Sequence, residues 1–159
     1  MNSNNHNINI YMSQALAKTT QCCDSNDIPI GAIIVLKNEI IGIGYNQVEK
    51  TNNPLNHAEI IAINDALSKK KIKYLDGCKI FVTLEPCAMC IGAIINARIE
   101  TVYFGAYESK TGACGSVYNI PENPETIHKT KIYGGIMEEE CSKLIKAFFS
   151  DLRKSKQYP

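Results

Sequence analysis

His57 and Glu59, two residues apart, and Cys87 and Cys90, three apart, are the residues of this chain best suited to chemistry. Structural zinc is closed by four protein ligands, whereas catalytic zinc takes three and leaves the fourth position to water. His57, Cys87 and Cys90 would fill three positions, one zinc per subunit. Zinc lowers the pKa of a bound water from about 15.7 to about 7, and a neighbouring carboxylate can then carry its protons. Glu59 is the unligated carboxylate placed for that work, so the residue set is hydrolytic.

The elements that must position these residues follow from hydrophobic period. Ile8, Met12, Ala15, Leu16, Thr19 and Cys23 recur at helical spacing and predict a first helix over 8–23. An apolar run over 30–36, a turn at 37–39 and a second run over 40–45 predict an antiparallel hairpin. A second helix is expected over 56–68, with His57 and Glu59 in its first turn, and a third strand over 79–84. Pro86 then opens a third helix, where a missing N–H costs nothing, and places Cys87 and Cys90 in its first turn. Two helix N-termini would thus meet at one point, and their unpaired N–H groups favour thiolate over thiol. A fourth strand is expected over 101–106. A short fifth, over 129–133, lies far enough along the chain for a parallel crossover. The last helix, over 137–154, carries Met137, Cys141, Leu144, Ile145, Phe148 and Leu152 as its buried stripe. The expected fold class is α/β, three layers α/β/α around a mixed five-stranded sheet.

Composition sets the bounds. A chain of 159 residues fits one domain spanning 1–159. Residues 1–9 are polar and Asn-rich, and no stretch is apolar enough to span a bilayer, so no membrane partner is expected and the cytoplasm is the expected compartment. Of the seven cysteines, Cys22, Cys23, Cys78, Cys114 and Cys141 show no disulfide spacing once Cys87 and Cys90 are given to metal. A formal net charge of +1 does not announce nucleic-acid binding, so positive charge toward an RNA would have to be local.

Each signal has a plainer reading. Cys-x-x-Cys after a strand also suits a redox dithiol, but such a pair has no use for His57 and Glu59 together. Asn56 with Glu59 resembles a helix-capping box, and the metal context weighs against it. His6 and His128 have no ligand company and read as solvated. Gly42-x-Gly44 is too short for a dinucleotide fingerprint and reads as strand geometry. The run Lys69-Lys70-Lys71-Ile72-Lys73 reads as a solvated face.

Asn56-His57-Ala58-Glu59-Ile60, Thr83-Leu84-Glu85-Pro86-Cys87-Ala88-Met89-Cys90, Val102-Tyr103-Phe104-Gly105-Ala106 and Lys110-Thr111-Gly112, in that order, resemble the bacterial tRNA-specific adenosine deaminases. Their His-x-Glu and Pro-Cys-x-x-Cys pair is the signature of the zinc nucleobase deaminases. The resemblance covers nearly the whole chain and implies a cytidine-deaminase-like fold, a homodimer, and a tRNA anticodon stem-loop as partner. The implied reaction converts adenosine to inosine at the wobble position, with Glu59 relaying protons. The resemblance further implies that Asn46 hydrogen-bonds the nucleoside, that Pro29 and Leu84 form apolar wall, and that Glu108 and Lys110 lie along the RNA. Glu108 stands where the family often has Asp, which keeps the charge and lengthens the reach by one methylene. Lys143, Lys146, Arg153, Lys154 and Lys156 of the last helix would add phosphate contacts. Two rivals share the ligands: a free-base or nucleoside deaminase of guanine or cytosine type, and a non-catalytic zinc module that would need Cys78 or Cys114 as a fourth ligand.

Overall fold

The structure, a computed structural model, describes residues 3–155, with side chains from Asn7 onward; Lys156 and the His6 side chain lie outside the described residues. Helix α1 spans Ser3–Lys18 and tightens into a 3-10 turn at Thr19–Cys22. It begins earlier than the expected 8–23, and the tighter turn changes which cysteine faces inward: Cys22 is buried and Cys23 exposed. Strands β1 (Gly31–Leu36) and β2 (Glu39–Tyr45) form the hairpin, turning at Lys37 and Asn38, both at positive φ (48° and 67°), as a two-residue connection that follows the sheet twist requires. A short helix α2 at Val48–Thr51, absent from the sequence reading, precedes α3 at Ala58–Lys70. Strand β3 (Lys79–Leu84), helix α4 (Ala88–Asn96), strand β4 (Thr101–Ala106), a 3-10 turn at Ile120–Glu122, strand β5 (Lys131–Tyr133) and helix α5 (Glu138–Ser155) complete the order.

The sheet order is β2-β1-β3-β4-β5, with β1 antiparallel to β2 and β3, and β3, β4 and β5 parallel to one another. The mixed five-stranded sheet and the parallel crossover into β5 therefore stand as expected. Strand alternation divides the core. Ala32, Ile34, Ile80, Val82 and Val102 pack on α3 and α4, while Ile33, Val35 and Phe81 pack on Met12 and Ala15 of α1 and Cys141 of α5. Helices thus cover both faces. Among the described residues no helix is long and apolar enough to cross a membrane.

Helix α3 lies unusually close to β2 because neither side offers bulk. A Cβ built on Gly42 would come within 2.7 Å of the Ala66 Cβ, and one on Gly44 within 2.6 Å of the Ala62 nitrogen. The Gly42-x-Gly44 pair is therefore a packing surface for Ala58, Ala62 and Ala66, and it fixes the height of the helix that begins beside His57. Asp65 adds a polar tie, its Oδ2 accepting the Ile43 N–H at 2.9 Å.

The stripe expected on α5 is buried only at Cys141; Leu144, Ile145, Phe148 and Leu152 are half-buried. The first turns of α5 rest on β4, whereas its later turns overhang a cavity and keep one side open. Of the lysine run, Lys69 pairs with Asp65 (2.6 Å) and Lys70 with Glu39 (3.1 Å) around the C-terminus of α3, a solvated face that complements the helix dipole.

Candidate metal centre

His57 and Cys87 are not in the first turns of their helices but are the N-cap residues themselves, with extended backbones (φ −72°, ψ 153° and φ −74°, ψ 174°). Pro86 likewise precedes the cap of α4 and does not open the helix. The His57 side chain makes no bond to its own helix. Both cap side chains are turned to a shared point, which leaves the first-turn N–H groups to bias that point toward anionic ligands.

At that point the His57 Nδ1 stands 3.7 Å from the Cys87 Sγ and 3.5 Å from the Cys90 Sγ. A tetrahedral zinc with Zn–S near 2.3 Å and Zn–N near 2.0–2.1 Å places nitrogen and sulfur about 3.5 Å apart. The spacing fits, and the three donor atoms form a group positioned to bind a metal, two half-buried and Cys90 buried. Among the described residues that group has no fourth member: Cys78 is buried in the core beside Leu75 and Ile80, and Cys114 lies outside it. The non-catalytic zinc module loses the ligand it required.

The electrostatics prepare a thiolate. A hydrogen bond from Cys90, opposed by burial and aided by His57, brings Cys87 down to about 4. The same bond and burial push Cys90 up, and His57 is raised chiefly by its hydrogen bond with Cys87. Glu59, in the first turn of α3 and 4% exposed, is raised by burial. The capping box does not form, because the N-cap of α3 is His57 and Asn56 stands one residue before it, its Nδ2 donating to the Thr51 Oγ1 at 2.8 Å. Glu59 is thus a buried carboxyl beside the metal group whose affinity for protons is increased, as a proton carrier at neutral pH requires.

A cavity of about 430 Å³ opens beside His57, lined also by Asp27, Ile28, Asn46, Glu49 and Phe148. Asn46 is buried, and its Nδ2 donates to the Ile28 carbonyl at 3.3 Å while its Oδ1 has no partner. Pro29 is buried and lines an adjoining cavity together with Phe148 and Leu152. Leu84 is half-buried and packs against the core layer on the α1 and α5 face. Glu108 is half-buried and its Oε1 accepts the Lys110 N–H at 2.8 Å; the Lys110 side chain is exposed. The structure thus brings His57, Glu59, Cys87, Cys90 and Asn46 to one region. His128 is half-buried with an unpartnered Nε2, not solvated.

Two buried carboxylates escaped sequence reasoning. Asp27, 1% exposed, accepts the N–H groups of Glu49 (2.7 Å) and Lys50 (3.1 Å) and the Ser25 hydroxyl (2.6 Å), and so holds α2 at the cavity rim. Glu85, 2% exposed, binds the loop that follows β4. The available signal was an acid set directly between an apolar strand and Pro86, where solvent exposure is not expected.

Known proteins resemble the chain over most of its length. The family model described as MafB19-like deaminase matches residues 5–153. The tRNA-specific adenosine deaminase of Bacillus subtilis (strain 168) is 36% identical over 148 residues, 93% of this chain and 92% of the relative. That of Rickettsia felis is 42% identical over 144 residues, covering 89% of this chain and 100% of the relative. A solved structure from work on A-to-I editing by tRNA:A34 deaminases at the wobble position of transfer RNA superposes with a TM-score of 0.81 at 34% identity, over 84% of this chain and 97% of that one. The guanine deaminase of Nitrosomonas europaea, at 21% identity and a TM-score of 0.72 over 88% of this chain and 83% of that one, shares the fold. With a deaminase model spanning nearly all of the sequence and relatives of this identity matched almost end to end, the protein belongs to the family of tRNA-specific adenosine deaminases.

Proposed function

We propose that this protein hydrolyses adenosine to inosine, with release of ammonia, at the wobble position of a tRNA anticodon. The observation that carries the reading is the three-donor group of His57, Cys87 and Cys90 with buried Glu59 beside it. Zinc held by these three residues supplies a Lewis acid and a water activated for attack on C6 of the purine. Glu59 would take one proton from the attacking water and deliver it to N1 of the ring, then take the second proton from the new hydroxyl on C6 and deliver it to the departing amine, so a single carboxyl serves both halves of the exchange. Burial raises its affinity for protons, which suits a group that must accept as well as donate them. Asn46 offers a fixed, unpaired Oδ1 to the nucleoside in the cavity beside His57.

Chemistry at C6 requires the base to leave its stack, which costs less in a loop than in a duplex. Pro29 and half-buried Leu84 belong to the proposed apolar wall. Glu108 and Lys110, together with Arg153 and Lys154 on α5, are the proposed contacts to the anticodon strand. The same reading places the enzyme in the cytoplasm as a homodimer, for which exposed Val117, Tyr118 and Ile127 supply apolar surface.

Incubation of the zinc-loaded protein with an anticodon stem-loop bearing a wobble adenosine, in parallel with free adenosine, cytidine and guanine, tests the proposal by mass spectrometry. Inosine is expected in the stem-loop alone. A small pocket gives a bare base little binding energy, so flanking nucleotides must supply the rest. Turnover of guanine or cytosine with an unchanged stem-loop would assign the protein to free-base deamination.

A further inference from the structure

We propose that Glu85 is a positioning residue that locks the loop after β4 against the metal-ligand turn, and so sets where the RNA strand lies relative to the reacting base. The proposal rests on the functional reading above and adds to it a residue that neither ligates metal nor touches substrate.

Burying a carboxylate is costly unless every lone pair is answered. Among the described residues Glu85 has no cationic partner. Backbone and hydroxyl donors answer it instead. Its Oε2 accepts the Glu108 N–H at 3.0 Å and the Ser116 hydroxyl, and its Oε1 accepts the N–H groups of Cys114 and Ser116, each at 3.0 Å. All four donors come from one segment, 108–116. Hydrogen bonds to an ionised acceptor are about twice as strong as neutral ones, so the carboxylate organises a stretch of chain that has little regular structure of its own.

The backbone on either side of that carboxylate continues the same attachment. The Glu85 N–H donates to the Ala106 carbonyl at 2.8 Å, the Pro86 carbonyl accepts the Ala113 N–H at 2.9 Å, and Cys87 forms an isolated antiparallel bridge with Gly112. Three consecutive residues therefore hold the loop, and the third is a metal donor. Gly112 shows how closely the loop wraps the carboxylate, since a Cβ there would lie 2.6 Å from the Glu85 Cδ. Glu108 and Lys110, the residues offered to RNA, ride on this segment, so their distance from the metal group is fixed through Glu85.

The test uses zinc-loaded Glu85→Gln and Ser116→Ala alongside the unchanged protein. Readouts are zinc content, amide hydrogen exchange, and steady-state kinetics on the wobble-adenosine stem-loop per zinc-loaded subunit. Gln presents an N–H₂ to one set of donors, so exchange at the Glu108, Cys114 and Ser116 amides is expected to rise about tenfold or more while amides of β3 and α4 stay protected. KM for the stem-loop rises about tenfold with a smaller fall in kcat, and zinc stays at full stoichiometry. Ser116→Ala, which removes one donor and leaves the carboxylate in place, shifts KM in the same direction by a few fold, and it serves if the Gln variant does not fold. Unchanged loop exchange, or a loss of zinc or kcat at unchanged KM, overturns the proposal and makes Glu85 a scaffold for the metal turn alone. Should the unchanged protein leave the stem-loop intact, the functional reading fails, while amide exchange still decides whether Glu85 anchors the loop.

Discussion

The backbone of Gly44 lies directly against the carbonyl of Ala58, the residue that follows His57, with no space between them for a methyl group. This contact transmits the position of β2 to the N-terminus of α3, and hence to one of the three metal donors. Gly44→Ala must lift that end of the helix. Overpacking of this kind costs roughly 1–3 kcal/mol, and here the displaced atoms belong to the metal site. The variant should melt earlier and release zinc to a chelator faster. Gly42→Ala, whose Cβ meets the Ala62 carbonyl and Ala66 one to two turns further along, should lose stability with a smaller change in zinc release.

Glu59 and the donors should separate cleanly. Glu59→Ala removes the proposed proton carrier and is expected to lower turnover by roughly 10²–10⁴ while zinc content, measured by atomic absorption, stays at one per subunit. His57→Ala and Cys90→Ala should lose zinc and turnover together. Loss of metal from Glu59→Ala would make that carboxyl a ligand or a structural group.

The donors were legible because short motifs keep their local geometry: a cap residue and the turn after it remain neighbours whatever packs outside, so His57 with Glu59 and Cys87 with Cys90 could be read as two helix starts. Strands β1 to β4 were legible for a similar reason, since their apolar runs end at clear turn residues. Features that depend on distant partners were not. Helix α2 exists where Asp27, some twenty residues earlier, caps it, and nothing in 48–51 announces that. The 3-10 turn at Thr19–Cys22 shifts the helical phase enough to exchange Cys23 for Cys22. Leu84 and Glu85 are neighbours in a motif, yet Leu84 departs from the face of Ile80 and Val82 to pack against the layer on the α1 side, while the Glu85 carboxylate turns to the loop after β4.

Two core thiols give the stability curve a defined shape at high pH. Burial raises Cys78 and Cys141 from an ordinary value of 9.0 to about 11. In the unfolded chain each releases its proton near 9.0, whereas the folded protein keeps it until about 11. Between those values the folded state binds more protons, so stability is fully present below pH 9 and falls as pH rises toward 11. Each proton contributes a slope of about 1.4 kcal/mol per pH unit. Urea unfolding from pH 8 to pH 11 should show that slope reduced by one proton in Cys78→Ala, whatever that variant loses in absolute stability. An identical slope would mean that the thiol titrates normally in the fold.

Asn46 is held by one end. Its Nδ2 donates to the Ile28 carbonyl, which fixes the amide plane and leaves the Oδ1 buried without a partner in the wall of the cavity beside His57. An unpaired buried acceptor costs about 1–3 kcal/mol, and in the proposed reading a donor on the bound nucleoside recovers that energy. Asn46→Ala removes both the orphaned acceptor and the bond to Ile28, so the two effects offset and folding stability should change by less than about 1 kcal/mol. Activity has no such compensation: kcat/KM on the stem-loop should fall about 10- to 100-fold, the equivalent of one lost hydrogen bond to substrate. Asn46→Asp turns an acceptor toward the Ile28 carbonyl and buries a charge, so it should lose stability and activity together. Urea unfolding and stem-loop kinetics on both variants distinguish the roles, and a loss of stability in Asn46→Ala as large as its loss of activity would make Asn46 part of the scaffold and not a contact to the nucleoside.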